Sequence, residues 1–120
     1  SGRITSTIRR VYDIVLEAQE RAIKEIKAAV NIDKIDRVAR QYIAQRKYGG
    51  FFGHNLGHGI GLEVHEAPNI SGEEKNKLKA GMVFTVEPAI YIPKKFGIRI
   101  EDVVLTTKEG VEVLSGNLNK

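Results

Sequence analysis

Apolar side chains recur at intervals of three and four residues near the start of the chain. The series consists of Ile8, Val11, Tyr12, Val15, Ala22, Ile23, Ile26 and Val30. This spacing places the apolar side chains along one side of an amphipathic helix, and Gln19 is its one polar interruption. Because no glycine or proline breaks the stretch, the sequence predicts a helix over residues 6–30.

A second apolar stripe follows a short polar interruption. Its members are Ile35, Val38, Ala39, Tyr42 and Ile43. Asn31 and Asp33 are both candidates for the N-cap, and the pair Gly49-Gly50 stops helical structure. The sequence therefore predicts a helix over residues 33–48, antiparallel to the first because the connection is short.

The second half of the chain is rich in β-branched and aromatic residues separated by turns. Strands are predicted at residues 82–87, 89–92, 97–106 and 111–114, with the third of these the longest. Pro88 separates the first two because proline lacks the N–H that a ladder requires. The pattern predicts an α+β fold, a single domain over residues 1–120. In it, two antiparallel helices pack on a mainly antiparallel sheet, and residues 51–114 supply the sheet and the site loops.

Composition narrows the class of protein. The absence of cysteine from the 120 residues excludes a disulfide framework and thiolate zinc sites. No apolar run approaches the roughly 18 residues of a membrane span, and no secretory leader is evident, so we expect a cytoplasmic protein without a membrane partner. The net charge of +4 comes from basic residues scattered among acidic ones, so we do not expect a nucleic-acid partner.

All three histidines lie in one glycine-rich stretch. The histidines are His54, His58 and His65, and the glycines are Gly53, Gly57, Gly59 and Gly61. Imidazole is a common metal ligand and proton-transfer group, and glycine lets the backbone approach a ligand closely. The stretch indicates a functional site, and the alternative is a glycine-rich turn with surface histidines.

Two carboxylates on the predicted strands are further candidates. Glu87 ends a strand, and strand alternation places Glu101 on one face with Arg99. Glu101 and Arg99 could form a local ion pair, or Glu101 could bridge metal ions with Arg99 orienting it. One histidine and two glutamates suit Mn, Co, Fe or Zn but are too few for two ions. The residues alone therefore indicate an incomplete hydrolytic metal site.

Three segments resemble blocks of the pita-bread metallopeptidases, the family of methionine aminopeptidase, aminopeptidase P and prolidase. They are residues 53–68, 78–88 and 97–104, in the same order and with similar spacing. The Gly-Ile-Arg-Ile-Glu-Asp sequence of the third block is similar to the Xaa-Pro enzymes. The resemblance therefore favours aminopeptidase P or prolidase over methionine aminopeptidase.

The resemblance implies a metal-ligand set. His58, Glu87 and Glu101 would ligate two divalent ions, Mn, Co or Zn, with Glu101 bridging them. Glu87 would also help to shuttle the proton of the attacking water. Such an enzyme is a dinuclear metallo-exopeptidase, in which a metal-bound hydroxide attacks the peptide bond that precedes proline.

The resemblance also implies residues that face the substrate. His54 and His65 would line the pocket and stabilise the tetrahedral intermediate by hydrogen bonding. Arg99 matches a family arginine beside the site. The partner would be a peptide with proline after the scissile bond.

The match departs from the family at two metal-binding aspartates, which lie upstream on strands in the family. Asp13, Asp33 and Asp36 instead fall on predicted helices. We therefore expect half of a pita-bread fold, the C-terminal half of a catalytic domain, that holds one ion or none and is inactive alone. An uncovered sheet edge predicts a homodimer or self-association. The alternatives are a non-catalytic peptide-binding module of the same fold and methionine aminopeptidase.

Overall fold

The computed structural model describes residues 2–61 and 68–115, and it has the predicted α+β architecture. The helices are α1 (Gly2–Lys24), α2 (Ile32–Gln45) and a short 3-10 helix (Gly49–Phe51). The strands are β1 (Gly57–His58), β2 (Asn69–Ile70), β3 (Val83–Val86), β4 (Ala89–Ile92), β5 (Phe96–Arg99), β6 (Asp102–Thr106) and β7 (Val111–Val113). None of the helices in these two ranges is long and apolar enough to cross a membrane.

Strands β3 to β6 form one long hairpin that is interrupted in the middle. β3 pairs with β6 and β4 pairs with β5, both antiparallel. The pairs that flank the interruption are Val86–Asp102 and Ala89–Arg99. Both pairs belong to one register, so neither strand of the hairpin has an extra residue at the interruption. Glu87 therefore lies opposite Glu101 at the point where the ladder stops.

Strand β1 connects this hairpin to β2. It pairs antiparallel with β2, and a bridge between Gly59 and Phe84 places its other edge against β3. The N–H of Ile60 donates to the Val83 carbonyl at 2.8 Å, which extends that contact. The strand order along this side of the molecule is therefore β2-β1-β3-β6-β7.

Gly57 permits the close approach of β1 to β3. A Cβ atom on this residue would lie 1.7 Å from the carbonyl oxygen of Thr85. Such a distance is far inside van der Waals contact, so any side chain would push the two strands apart. The residue type at position 57 thus follows from the sheet geometry.

Both helices contribute to one apolar core with the sheet. Its largest fully buried side chains include Val11, Val15, Ile26, Ile32, Ile35, Ile43, Leu56, Ile70, Leu78, Phe84, Val86 and Ile90. The predicted stripe of α1 is wrong at two positions, because Ile8 is 37% exposed and Tyr12 is 44% exposed, whereas Ile14 and Ala18 are buried. The buried face of α1 is therefore rotated relative to the predicted one.

Helix α1 ends at Lys24, six residues before the predicted end at 30. The following segment leaves the helix because its N–H groups bind distant carbonyls: Ala28 donates to Thr107 and Ala29 donates to Leu78. Ala29 adopts a left-handed φ of 76°. Ile26 still enters the core without being helical.

Other predicted boundaries also differ, and α1 begins at Gly2 instead of residue 6. Helix α2 spans Ile32–Gln45 rather than residues 33–48, and Asn31 is its N-cap residue. The strand predicted over residues 97–106 is two strands, β5 and β6, because the ladder stops at Ile100 and Glu101. The predicted helices and strands are otherwise present in order.

Replacing Gly57 by alanine is expected to destabilise the protein. The new Cβ must displace the Thr85 main chain, so we expect a loss at the upper end of the roughly 1–3 kcal/mol of an overpacked core, or beyond it. Urea unfolding followed by circular dichroism measures the change. Gly53→Ala is the matched control, because a Cβ there meets no atom of the described residues within 4 Å. Equal stability of the two variants would contradict the prediction.

Candidate metal centre

The predicted ligands His58 and Glu87 come together where β1 meets the end of β3. His58 Nε2 lies 3.4 Å from Glu87 Oε2. The histidine side chain is 60% exposed, whereas the glutamate side chain is only 12% exposed. A solvent-accessible imidazole therefore lies next to a largely buried carboxylate.

Two neighbours orient the Glu87 carboxylate. Thr85 Oγ1 donates a hydrogen bond of 2.7 Å to Glu87 Oε2, because residues two apart on a strand share one face. The same hydroxyl accepts the N–H of His58 at 3.0 Å, so Thr85 connects both candidate ligands. Arg99 Nη1 lies 3.6 Å from Glu87 Oε1. Such outer contacts fix the direction of a ligand and hold its charge.

Arg99 therefore pairs with Glu87 in this structure, and not with Glu101 in the local ion pair that was one of the two interpretations of the sequence. In an antiparallel pair, the diagonal neighbour on the same face is within reach of a long side chain. Arg99 lies diagonally across the hairpin from Glu87, since it is opposite Ala89 in the register. Sequence separation alone favoured Glu101 as the partner of Arg99, because the two residues are only two positions apart.

Glu101 lies opposite Glu87 in the register, and its side chain is exposed. Within residues 2–61 and 68–115, it has no hydrogen bond or ion pair, and no three His, Cys, Asp or Glu groups converge closely enough to hold a metal ion. His65 lies outside the described residues, so its role stays a prediction. The structure thus unites two of the three predicted ligands.

His54 occupies an aromatic setting. Its ring is 5.1 Å from the Phe52 ring and 6.2 Å from the Tyr91 ring, measured between centroids. Nδ1 lies 2.7 Å from the Asn55 carbonyl, which can only accept, so Nδ1 carries a proton. Nε2 is buried and has no hydrogen-bond partner among the residues that the structure describes. One ring nitrogen of His54 is therefore buried without a hydrogen bond in the described part of the chain.

Gln19 supports the interruption of the hairpin, although in the sequence it is only a gap in the apolar stripe of α1. Its amide Nε2 lies within 3.3 Å of the Val86 carbonyl, 3.4 Å of the Ile100 carbonyl and 3.1 Å of Asp102 Oδ2. These acceptors adjoin the two glutamates. The sequence signal that could have found this role is a polar residue inside an otherwise apolar helix stripe.

Asp36 and Arg40 form a second support that the sequence pattern did not predict. Asp36 is buried in α2 and binds Arg40 through two hydrogen bonds of 2.8 and 2.9 Å. Their spacing of four residues is typical of an ion pair along a helix. The sequence could suggest the pair, but burial of Asp36 follows only from the packing of α2.

The donor set fits a divalent metal ion in type. An imidazole nitrogen and carboxylate oxygens suit Mn, Co, Fe and Zn, and the neighbouring hydroxyl and guanidinium hold the carboxylate in place.

Comparison with known proteins agrees with this chemistry. The profile of metallopeptidase family M24 matches residues 1–108. The chain belongs to this family. A Xaa-Pro dipeptidase of Pyrococcus furiosus is 50% identical to this M24 chain over 107 residues, which are 89% of this chain and 31% of that protein. An uncharacterized peptidase of Staphylococcus epidermidis is 50% identical over 114 residues, 95% of this chain and 32% of the relative.

Solved structures of M24 proteins have the same fold. The X-Pro aminopeptidase of Thermotoga maritima matches with a TM-score of 0.88 and 52% identity, over 95% of this chain and 32% of that one. The prolidase of Pyrococcus furiosus matches with a TM-score of 0.86 and 50% identity, over 91% and 32%. These matches confirm the pita-bread resemblance and the α+β fold. The chain spans about a third of the length of these relatives.

Thr85→Val is expected to destabilise the protein by about 1–3 kcal/mol. The change leaves the His58 N–H and one Glu87 oxygen without the partner that both share, and unpaired buried groups cost about this much. Urea denaturation measures the difference. Thr106→Val is the matched control, because Thr106 is equally buried and its hydroxyl has no hydrogen-bond partner within the described ranges. A loss as large in the control would refute the role of the Thr85 hydroxyl.

Proposed function

We propose that this chain supplies part of the active centre of a metal-dependent Xaa-Pro peptidase of the aminopeptidase P or prolidase type. The contact of 3.4 Å between His58 Nε2 and Glu87 Oε2 carries the proposal, because it joins two donors of a hydrolytic metal site. Membership of family M24 supports the reaction class. The names of similar proteins, a Xaa-Pro dipeptidase and an X-Pro aminopeptidase, support the substrate class.

In the proposed enzyme, His58, Glu87 and Glu101 hold divalent ions, Mn, Co or Zn. When bound, these ions supply Lewis-acid stabilisation of the charge that develops on the scissile carbonyl oxygen. Glu87 Oε1 takes the proton of the attacking water and returns it to the leaving amine. The Thr85 hydroxyl and Arg99 keep that carboxylate oriented through the cycle.

His54 binds the substrate in this mechanism. Its Nε2, which is buried and has no partner among the described residues, is the ring atom left to hydrogen-bond the substrate oxygen. The partly exposed ring of Tyr91 beside it gives the pocket an apolar wall suited to a proline ring. We assign His65 to the same pocket by its position in the family motif.

A non-catalytic peptide-binding module of the same fold is the second candidate. One observation favours it: no three-ligand cluster forms among the described residues. We place methionine aminopeptidase behind both, since two close matches are Xaa-Pro enzymes.

Metal binding separates the peptidase from the binding module. Isothermal titration with Mn²⁺ and Co²⁺ is expected to show a site whose Kd weakens at least about 10-fold in His58→Ala and Glu87→Gln, because each removes a donor atom. Glu112→Gln is the matched control, since Glu112 is an exposed acid on β7. An affinity that neither ligand variant changes would exclude this metal site.

A chimera tests catalysis by these residues. This chain replaces the matching 107 residues of the Pyrococcus furiosus Xaa-Pro dipeptidase, which supplies the remaining 69% of its own length. We expect hydrolysis of a Xaa-Pro dipeptide but not of a Xaa-Ala dipeptide. Glu87→Gln in the chimera should lower kcat by about 10²–10⁴-fold, the usual contribution of a proton-transfer group.

Two outcomes would contradict the catalytic proposal. The first is a folded, metal-loaded chimera without activity. The second is an active chimera that tolerates Glu87→Gln. The 120-residue chain alone is expected not to cleave the dipeptide, and cleavage at the rate of the chimera would refute the expected need for further metal ligands.

A further inference from the structure

The buried ion pair of α2 binds more than its own two side chains. The Asp36 side chain is 1% exposed and its partner Arg40 is 36% exposed. Arg40 Nη1 donates to the Phe52 carbonyl at 2.9 Å, and Nη2 donates to the His54 carbonyl at 2.8 Å. The guanidinium also stacks on the Phe52 ring at 4.1 Å. Arg40 thus holds the main chain at His54 and two residues before it.

Asp36 holds the same segment two residues after His54. Its Oδ2 accepts the N–H of Leu56 at 3.0 Å. The carbonyl of Leu56 then accepts the N–H of Glu87 at 2.8 Å. A single peptide segment therefore connects the buried carboxylate on the helix to the backbone of a candidate metal ligand.

The pair Asp33–Arg37 on the same helix provides an internal comparison. It has the same spacing of four residues and an N–O distance of 3.1 Å, but its side chains are 28% and 49% exposed. It binds no main-chain group in the described part of the chain. Burial and main-chain contacts thus distinguish the Asp36–Arg40 pair from an ordinary surface ion pair.

Stability is a poor explanation for a buried ion pair. Removing charges from water costs free energy, and apolar residues of similar volume often stabilise a core equally well. A planar guanidinium, however, can bind a carboxylate and two carbonyls at fixed angles, which neither an apolar residue nor lysine can do. The contacts therefore point to placement of the bound segment.

We propose that Arg40 is a positioning residue that, with Asp36, sets the main chain at His54 and so fixes the orientation of the His54 ring. Through Leu56 the same pair also sets the backbone position of Glu87. The part that concerns catalysis rests on the proposed peptidase function. The part that concerns the His54 ring does not.

The His54 ring gives a direct readout by NMR of the ¹⁵N-histidine-labelled chain. In the wild type, Nδ1 donates to the Asn55 carbonyl, so the neutral ring should show a single tautomer. Arg40→Lys keeps a positive charge beside Asp36 but loses the two-carbonyl contact. We expect its His54 nitrogen signals to move towards the averaged values of a free imidazole. Arg37→Lys is the matched control and should leave them unchanged.

A double variant removes both charges together. Asp36→Leu with Arg40→Met leaves no unpaired buried charge, so its urea midpoint should lie above that of Arg40→Met alone, although the Leu56 N–H has lost its acceptor. We expect the His54 signals to stay altered and the Kd for Mn²⁺ to weaken about 10-fold, as for loss of an outer contact to a ligand. Because both effects are measured on the folded protein, below the urea transition, they do not arise from unfolding.

Three outcomes would overturn the proposal. One is a double variant with wild-type His54 signals, and another is Arg40→Lys with wild-type signals. The third is a control, Arg37→Lys, that shifts them as much as Arg40→Lys. If the double variant does not fold, the comparison of Arg40→Lys with Arg37→Lys still tests whether Arg40 positions His54. A wild-type chain that binds no Mn²⁺ counts against the peptidase function only, and the His54 signals still test Arg40.

Discussion

The candidate site depends on the close approach of β1 to β3 at Gly57. Because this residue has no side chain, the His58 N–H reaches the Thr85 hydroxyl and the Leu56 carbonyl reaches the N–H of Glu87. One contact between two backbones therefore aligns an imidazole with a carboxylate. A wider spacing between β1 and β3 would separate His58 from Thr85 and Glu87, so the imidazole and the carboxylate could not bind the same ion.

The carboxylates lie where the hairpin ladder is interrupted, and the interruption requires polar support. Main-chain groups that lose ladder partners in a buried place must be paired elsewhere. Gln19 of α1 serves the carbonyls beside Glu87 and Glu101, and the Asp36–Arg40 pair of α2 serves the main chain around His54. Among the side chains that the structure describes, each helix covers the sheet with apolar groups, and the buried polar residues of the helices are Gln19 and Asp36.

The sequence by itself determined the fold class, the order of the helices and strands, and the identity of the candidate metal ligands. Amphipathic periodicity and β-branched runs are local signals, so they predict helices and strands without knowledge of the partner surface. The histidine-rich stretch and the carboxylate before Pro88 could be assigned because family motifs keep them at fixed spacing. The family profile over residues 1–108 confirms the family, and the role of each residue stays a prediction.

Only the tertiary structure decided the contacts and boundaries that depend on residues far apart in sequence. Helix α1 ends at Lys24, and distant carbonyls bind the N–H groups of Ala28 and Ala29 beyond it, although no glycine or proline marks the place. Arg99 pairs across the hairpin with Glu87 because register, and not sequence separation, sets diagonal distance. Asp36 and Gln19 became supports of the site because packing buried them beside unpaired main-chain groups. Local patterns carry no information about which distant groups will lack partners, and those groups exist only once the chain is folded.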